Sequence, residues 1–345
     1  MSSKRVLTGV KPTGIPHVGN YLGAIRPAIE LAESAEAFLF LADLHALTIR
    51  PDPALLREET YGVAAAWIAL GMDPEKTVFY RQSDIPEIPF LCWILSCSLP
   101  LGYLNRAHSF KDQQDKGVAA GDIMHGLYSY PVLMAADILL FDADAVPVGK
   151  DQKQHLEITQ EIARKINHHY GKGEELLKVP EAHIDERVMT IPGLDGRKMS
   201  KSYGNTLTPF MSAKEIKKAM KQLVTDSTEY GQPLPVADDV ILSLVGLLAP
   251  ERRAELEAKY VSGRKDPAGG DETDNYFGWG DAKKALAETL EETFAGPRET
   301  YARLMNDKAE LERLLARGAE RARETARPVV RRLVEATGLT TRLPD

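Results

Sequence analysis

Cysteine is scarce in this chain: Cys92 and Cys97 are the only two among 345 residues. Two thiols build neither a disulfide framework nor an all-cysteine zinc site. Five positions apart in an apolar stretch, they read as buried thiols. Long hydrophobic runs are also missing. The most apolar segments, near Ala37–Leu41 and Leu133–Phe141, are short, whereas a membrane-spanning helix needs about 18 or more apolar residues. Met1-Ser2-Ser3-Lys4-Arg5 leads into a strand without an apolar secretion segment, so a cytoplasmic protein with no membrane partner is expected. A basic excess is lacking as well: 43 Lys and Arg stand against 50 Asp and Glu, a net charge of −7. That balance argues against a general nucleic-acid coat. What is present, 43% hydrophobic and 27% charged residues, suits a folded chain rather than a disordered one. The length favours two domains.

The first half alternates apolar runs with helical spacing. Val6–Val10, Ala37–Ala42, Val78–Arg81, Ala143–Val148 and Val188–Ile191 are strand candidates. Between them, Gly19–Glu33, Asp52–Leu70, Ile85–Ser98, Gly126–Leu140 and Asp151–His168 have helical periodicity. Such alternation predicts an α/β fold with a parallel sheet. After the polar loop 193–205 the spacing is helical throughout, ending in one long stretch from Pro297 to Ala336, with Gly263–Gly270 as a flexible linker. The expected division is therefore a nucleotide-binding domain over 1–205 and an all-α domain over 206–345. From Tyr301 to Asp345 the net charge is +3, which leaves −10 on residues 1–300. Arg313, Arg317, Arg321, Arg327 and Arg331 share one helix face if the helix continues through Pro328, a stripe suited either to an RNA backbone or to plain solvation. His168 and His169 do not make a metal pair, because adjacent helical residues point apart.

Two separated motifs carry the chemistry. Pro16-His17-Val18-Gly19-Asn20 follows the first strand and opens a helix, whose free N–H groups and positive dipole end suit phosphate oxygens. His17 adds a donor, and Gly19 lets a flat ring approach the backbone. Lys198-Met199-Ser200-Lys201-Ser202 lies in a Gly-containing loop about 180 residues later; its two lysines place positive charge where a pyrophosphate would leave. Either motif alone has a bland reading, a capped loop or solvated polarity. Together and in this order they resemble the two nucleotide-binding motifs of class I aminoacyl-tRNA synthetases. That resemblance implies a Rossmann-like catalytic domain, followed by a helical anticodon-binding domain.

The middle of the chain narrows the resemblance. Tyr130-Pro131-Val132-Leu133-Met134-Ala135-Ala136-Asp137 and Val146-Pro147-Val148-Gly149-Lys150-Asp151-Gln152 resemble the amino-acid-binding helix of bacterial tryptophanyl-tRNA synthetases and the segment that follows it. By this resemblance Asp137 accepts the indole N–H, since an indole nitrogen only donates. Met134 packs on the ring, Tyr130 and Gln152 hold the ammonium, and Gly9 and His45 complete the tryptophan pocket. ATP falls to Lys11, Thr13, His17, Gly19, Asn20, Gly149, Asp151, Val188, Lys198, Met199, Ser200 and Lys201. Of these, His17, Asn20, Lys198 and Lys201 stabilise developing charge, with Mg²⁺ on the phosphates and no protein metal site. The resemblance further implies L-tryptophan and tRNA(Trp) as partners, and a homodimer.

Departures from the family surround the nucleotide. Lys11 stands where glutamine is usual and Lys150 where glutamate is usual. The segment Lys111–Gly121 is longer than usual, with Gln113 at an expected lysine and Lys116 as a substitute. These differences suit a divergent second copy of the enzyme. A tyrosyl-tRNA synthetase, a small-molecule nucleotidyltransferase and a non-catalytic paralogue that binds RNA or protein remain as alternatives. Asp137, the helical second half and the two intact loop lysines argue against them in turn.

Overall fold

A computed structural model describes residues 4–148, 152–184, 190–270 and 272–341. Five parallel strands form one sheet in the order β3-β2-β1-β4-β5, where β1 is Arg5–Val10, β2 Glu36–Leu41, β3 Val78–Arg81, β4 Ala145–Val148 and β5 Glu181–Ile184. Strand order reverses between β1 and β4, the switch point at which ligands of doubly wound sheets bind. The first four strands are mostly apolar at their centres because helices cover both faces of the sheet.

The fifth strand differs from expectation. It is Glu181-Ala182-His183-Ile184 at the sheet edge, where little apolar sequence is required. Val188 and Met189 lie outside the described residues, and Thr190 and Ile191 are not in a strand. Gly263–Gly270 is not a free linker either. Asn275 accepts from the Asp266 N–H and donates to the carbonyls of Asp266 and Gly270, while Arg264 pairs with Tyr276 as an isolated bridge.

Local chemistry sets the helix ends. Asp52 accepts from the N–H groups of Ala54 and Leu55 at 2.9 Å, with Pro53 at the first position of Pro53–Ala69. Gly71, at φ +111°, turns the chain just beyond its end. The helix opening at Val18 continues through a wider-pitched turn at Tyr21–Ile25 into Arg26–Ala32. The stretch expected as one helix from Pro297 to Ala336 is two, Ala295–Asn306 and Lys308–Thr337. Asp307 leaves helical geometry and its carboxylate accepts from the Glu310 N–H.

Two apolar cores flank the sheet. One joins it to Glu87–Ser96, His125–Leu139 and Lys153–Tyr170, and the other to Pro53–Ala69 and the helices after residue 212. The last helix belongs to both: Leu311 and Leu315 enter the second core, and Ala319 to Val334 enter the first. It continues without a break past Pro328. Where it crosses between the cores, Gly318 lies on the backbone of β3, and a methyl there would overlap the Phe79 carbonyl oxygen. Gly318→Ala is therefore expected to lower unfolding stability by about 2–4 kcal/mol; a thermal melt unchanged from the parent would remove this contact.

The crossing also consumes part of the arginine stripe. Arg317 pairs with Glu75, and Arg321 donates to the carbonyls of Pro74, Lys76 and Thr77. These side chains clamp the loop before β3. They do not form an open row for RNA.

Candidate active site

Chain segments leaving the carboxyl ends of the central strands build one cavity of about 400 Å³. Gly9 and Lys11 come from the end of β1, His45 from the short helix Asp43–Ala46 after β2, and Gln152 from the residues after β4. The helix His125–Leu139 supplies Tyr130, Met134 and Asp137. All six residues expected around tryptophan therefore line the same cavity. Phe40 also lines it, and its ring occupies the space over Gly9 that any side chain there would need.

Asp137 is 1% exposed. It accepts from Gln82 Nε2 at 2.7 and 3.0 Å, and its Oδ2 lies 2.9 Å from His45 Nε2. Burial pushes its carboxyl pKa up, against the hydrogen bonds from His45 and Gln82, which pull it down. Gln82 also accepts from the His45 N–H at 3.3 Å, so it fixes both partners. A carboxylate has about four acceptor sites, and these contacts leave capacity for another donor. Gln82 is fully buried yet was not legible as a site residue: a lone glutamine after a strand belongs to no motif. Its signal was its place at the carboxyl end of β3.

Tyr130 is held by its hydroxyl, 2.9 Å from His155 Nε2. Lys11 Nζ lies 5.6 Å above the Tyr130 ring centre, a cation–π distance. Withdrawal from water lowers the Lys11 pKa. The unusual lysine thus stands at the cavity wall among the amino-acid residues.

The two sequence motifs meet beside this cavity. His17 Nδ1 accepts from the Asn20 N–H, and Asn20 Oδ1 accepts from the His17 N–H, both at 3.1 Å. This reciprocal cap fixes the tautomer, because a neutral ring accepting at Nδ1 carries its proton on Nε2. It also occupies Asn20 Oδ1. Burial and the positive charges of Lys201 and Lys198 lower the His17 pKa to about 4. His17 is thus a neutral donor near pH 7. An unfolded histidine, at about 6.5, binds its proton first, so this group's contribution to stability falls as pH drops from about 6.5 towards 4. A ¹³C-edited titration should show the His17 ring neutral at pH 5.5; an ordinary value near 6.5 would contradict this environment.

From the second motif, Met199 is buried and its Sδ accepts from the Gly19 N–H at 3.2 Å. Met199 ties the motifs together rather than facing an open cleft. A side chain at Gly19 would press on the His17 ring and on Met199, so packing alone requires the glycine. Lys201 Nζ donates to the Thr13 carbonyl at 2.6 Å. Burial lowers its pKa and Glu59 opposes that shift. Ser200 donates its N–H to Asn205 Oδ1 at 2.8 Å, and Asn205 Nδ2 donates to Asp195 and to the Lys198 carbonyl. Asn205, a position sequence reasoning took only as a boundary, is the staple of this loop. Lys198 is exposed. Gly149, Lys150, Asp151 and Val188 lie outside the described residues.

A cavity at the sheet's switch point holds a buried carboxylate, and near it lies a neutral histidine under the influence of two lysine charges. Comparison with known proteins gives the family. The family of class I tRNA synthetases (W and Y) matches residues 2–295. A tryptophan–tRNA ligase of Pseudomonas putida is 46% identical over 343 residues, covering 97% of this chain and 74% of the relative. The crystal structure of the Campylobacter jejuni tryptophanyl-tRNA synthetase complexed with ADP and tryptophan superposes with a TM-score of 0.87 at 42% identity, over 97% of this chain and all of the other. A tyrosyl-tRNA synthetase from Aeropyrum pernix shares the fold, with a TM-score of 0.60 at 21% identity, over 91% of this chain and 89% of the other. The chain belongs to the class I aminoacyl-tRNA synthetases, in the family of the tryptophan and tyrosine enzymes.

Proposed function

We propose that the cavity takes the indole of L-tryptophan on Asp137 and that ATP lies across the two motifs. The chain is a tryptophan–tRNA ligase. The single observation that carries the pocket assignment is the buried Asp137, held by Gln82 and His45 with acceptor capacity to spare. Indole offers only its N–H. Tyrosine offers a hydroxyl that both donates and accepts, and the choice of tryptophan over tyrosine rests on the relatives.

In this reading the tryptophan carboxylate attacks the α-phosphorus of ATP. One P–O bond forms as the bond to pyrophosphate breaks. The aminoacyl group then passes to a terminal ribose hydroxyl of tRNA(Trp), and AMP leaves. No side-chain nucleophile is needed; positioning and charge stabilisation carry the step. His17 donates from Nε2, and Lys198 and Lys201 meet the charge that develops on the departing pyrophosphate. Asn20 supports His17 through the cap. Lys11 places a cation between the amino-acid and nucleotide ends of the cavity. Mg²⁺ belongs to the triphosphate, and no residue is assigned to it.

Residues 206–345 supply the helical region that receives the tRNA anticodon, and the enzyme works as a homodimer in the cytoplasm. Trp93 and Leu101, 73% and 67% exposed on Glu87–Ser96 and Leu101–Leu104, are large apolar side chains of the kind a second copy would cover. Amino-acid-dependent exchange of labelled pyrophosphate into ATP tests the activation step and the choice of amino acid. Tryptophan should drive it and tyrosine should not; exchange with tyrosine alone would overturn that choice.

A further inference from the structure

The ligase reading requires a polyanion, tRNA, to dock on a chain of net charge −7. The arginines of the last helix are partly spent on Glu75 and on the loop before β3. A second cationic face lies elsewhere. In the helix Ala213–Gln222, the exposed residues Lys214, Lys217, Lys218 and Lys221 follow the three- and four-residue spacing that puts side chains on one face. They line a surface recess of about 670 Å³. Among the described residues, none of these ammonium groups has a hydrogen-bond or ion-pair partner. Glu215, which lines the same recess, is engaged by the Ser212 N–H and hydroxyl in a capping box, and the nearby charge of Lys218 adds to the lowering of its pKa.

The helix is fixed to the catalytic loop. Its opposite face, Ile216, Ala219 and Met220, is buried in the same core as Met199. Just past its end, the Val224 N–H donates to the Leu194 carbonyl at 2.9 Å, at the base of the loop that carries Lys198 and Lys201. A cationic face whose helix is anchored in the core and braced against this loop suits a backbone of regularly spaced phosphates. We infer that Lys214, Lys217, Lys218 and Lys221 form a docking surface for the tRNA phosphate backbone, placed so that the bound tRNA bears on the helix supporting the catalytic loop.

This inference rests on the ligase reading, and its test separates the two. The variant K214Q/K217Q/K218Q/K221Q should keep tryptophan-dependent pyrophosphate exchange, which uses no tRNA, within about twofold of the parent. A tRNA(Trp) transcript titrated against the same variant should bind at least about tenfold more weakly in 0.1 M salt. The slope of log affinity against log salt should be shallower by about 3, since each lost phosphate contact removes roughly 0.7–0.9. Arginine at all four positions should restore both. Unchanged tRNA affinity and slope with exchange intact would overturn the docking surface. Absence of exchange in the parent would overturn the ligase reading, and the direct titration would still decide whether this face binds RNA.

Discussion

Asp137→Ala is expected to cut the preference for tryptophan over phenylalanine in pyrophosphate exchange by roughly 10⁴-fold, because a site built to accept one buried donor rejects analogues lacking it by about that factor. The loss should fall mainly on tryptophan, with a raised KM, since phenylalanine offers nothing for Asp137 to accept. The neighbours sharpen the expectation. Gln82 Nε2 and His45 Nε2 both use this carboxylate, and removing it leaves two buried donors unpaired, at about 1–3 kcal/mol each. A lower melting temperature should therefore accompany the loss of discrimination. Equal discrimination by mutant and parent would take Asp137 out of the pocket.

Lys201→Ala is expected to slow adenylation by roughly 10²–10³-fold while leaving tryptophan affinity nearly unchanged. A preorganised donor aimed at charge that develops in the transition state acts on the rate and little on ground-state binding. Its amine bridges the motifs through the Thr13 carbonyl, and Glu59 faces the same region. The ammonium is thus held beside the first motif before any ligand arrives. Single-turnover formation of tryptophanyl-adenylate, measured against tryptophan binding, reads both quantities. A rate within about threefold of the parent would remove Lys201 from the chemistry.

How far the sequence could be read depended on which physical constraint each residue answers to. β1 to β4 were legible because strands covered on both faces must be mostly apolar at their centres, and Asp52-Pro53 announced a helix start by its capping chemistry. β5 was hidden because an edge strand tolerates Glu181 and His183. The break at Asp307 was hidden because the apolar spacing continues on both sides of it, and only the cap shows the interruption. At the site, residues in recognisable runs could be gathered from afar, and the fold places Gly9, His45, Tyr130, Met134, Asp137 and Gln152 around one cavity. Gln82 and Asn205 could not be gathered in this way. They hold other site groups in place, and a residue with that duty is defined by its neighbours in space rather than by its neighbours in sequence.

The passage of the last helix over β3 bears on the order in which the molecule can be made. β3 is an edge of the sheet, and an uncovered edge is a template on which another chain can add a strand. In the finished fold, Gly318 lies on the Phe79 backbone and Arg321 holds the Thr77 carbonyl, so this edge is shielded by residues synthesised some 240 positions after it. A nascent chain that has already assembled its nucleotide-binding half still presents that edge bare. Chains halted before Lys308 should accordingly collect as aggregates, and the full-length protein escapes that fate by closing its own seam last.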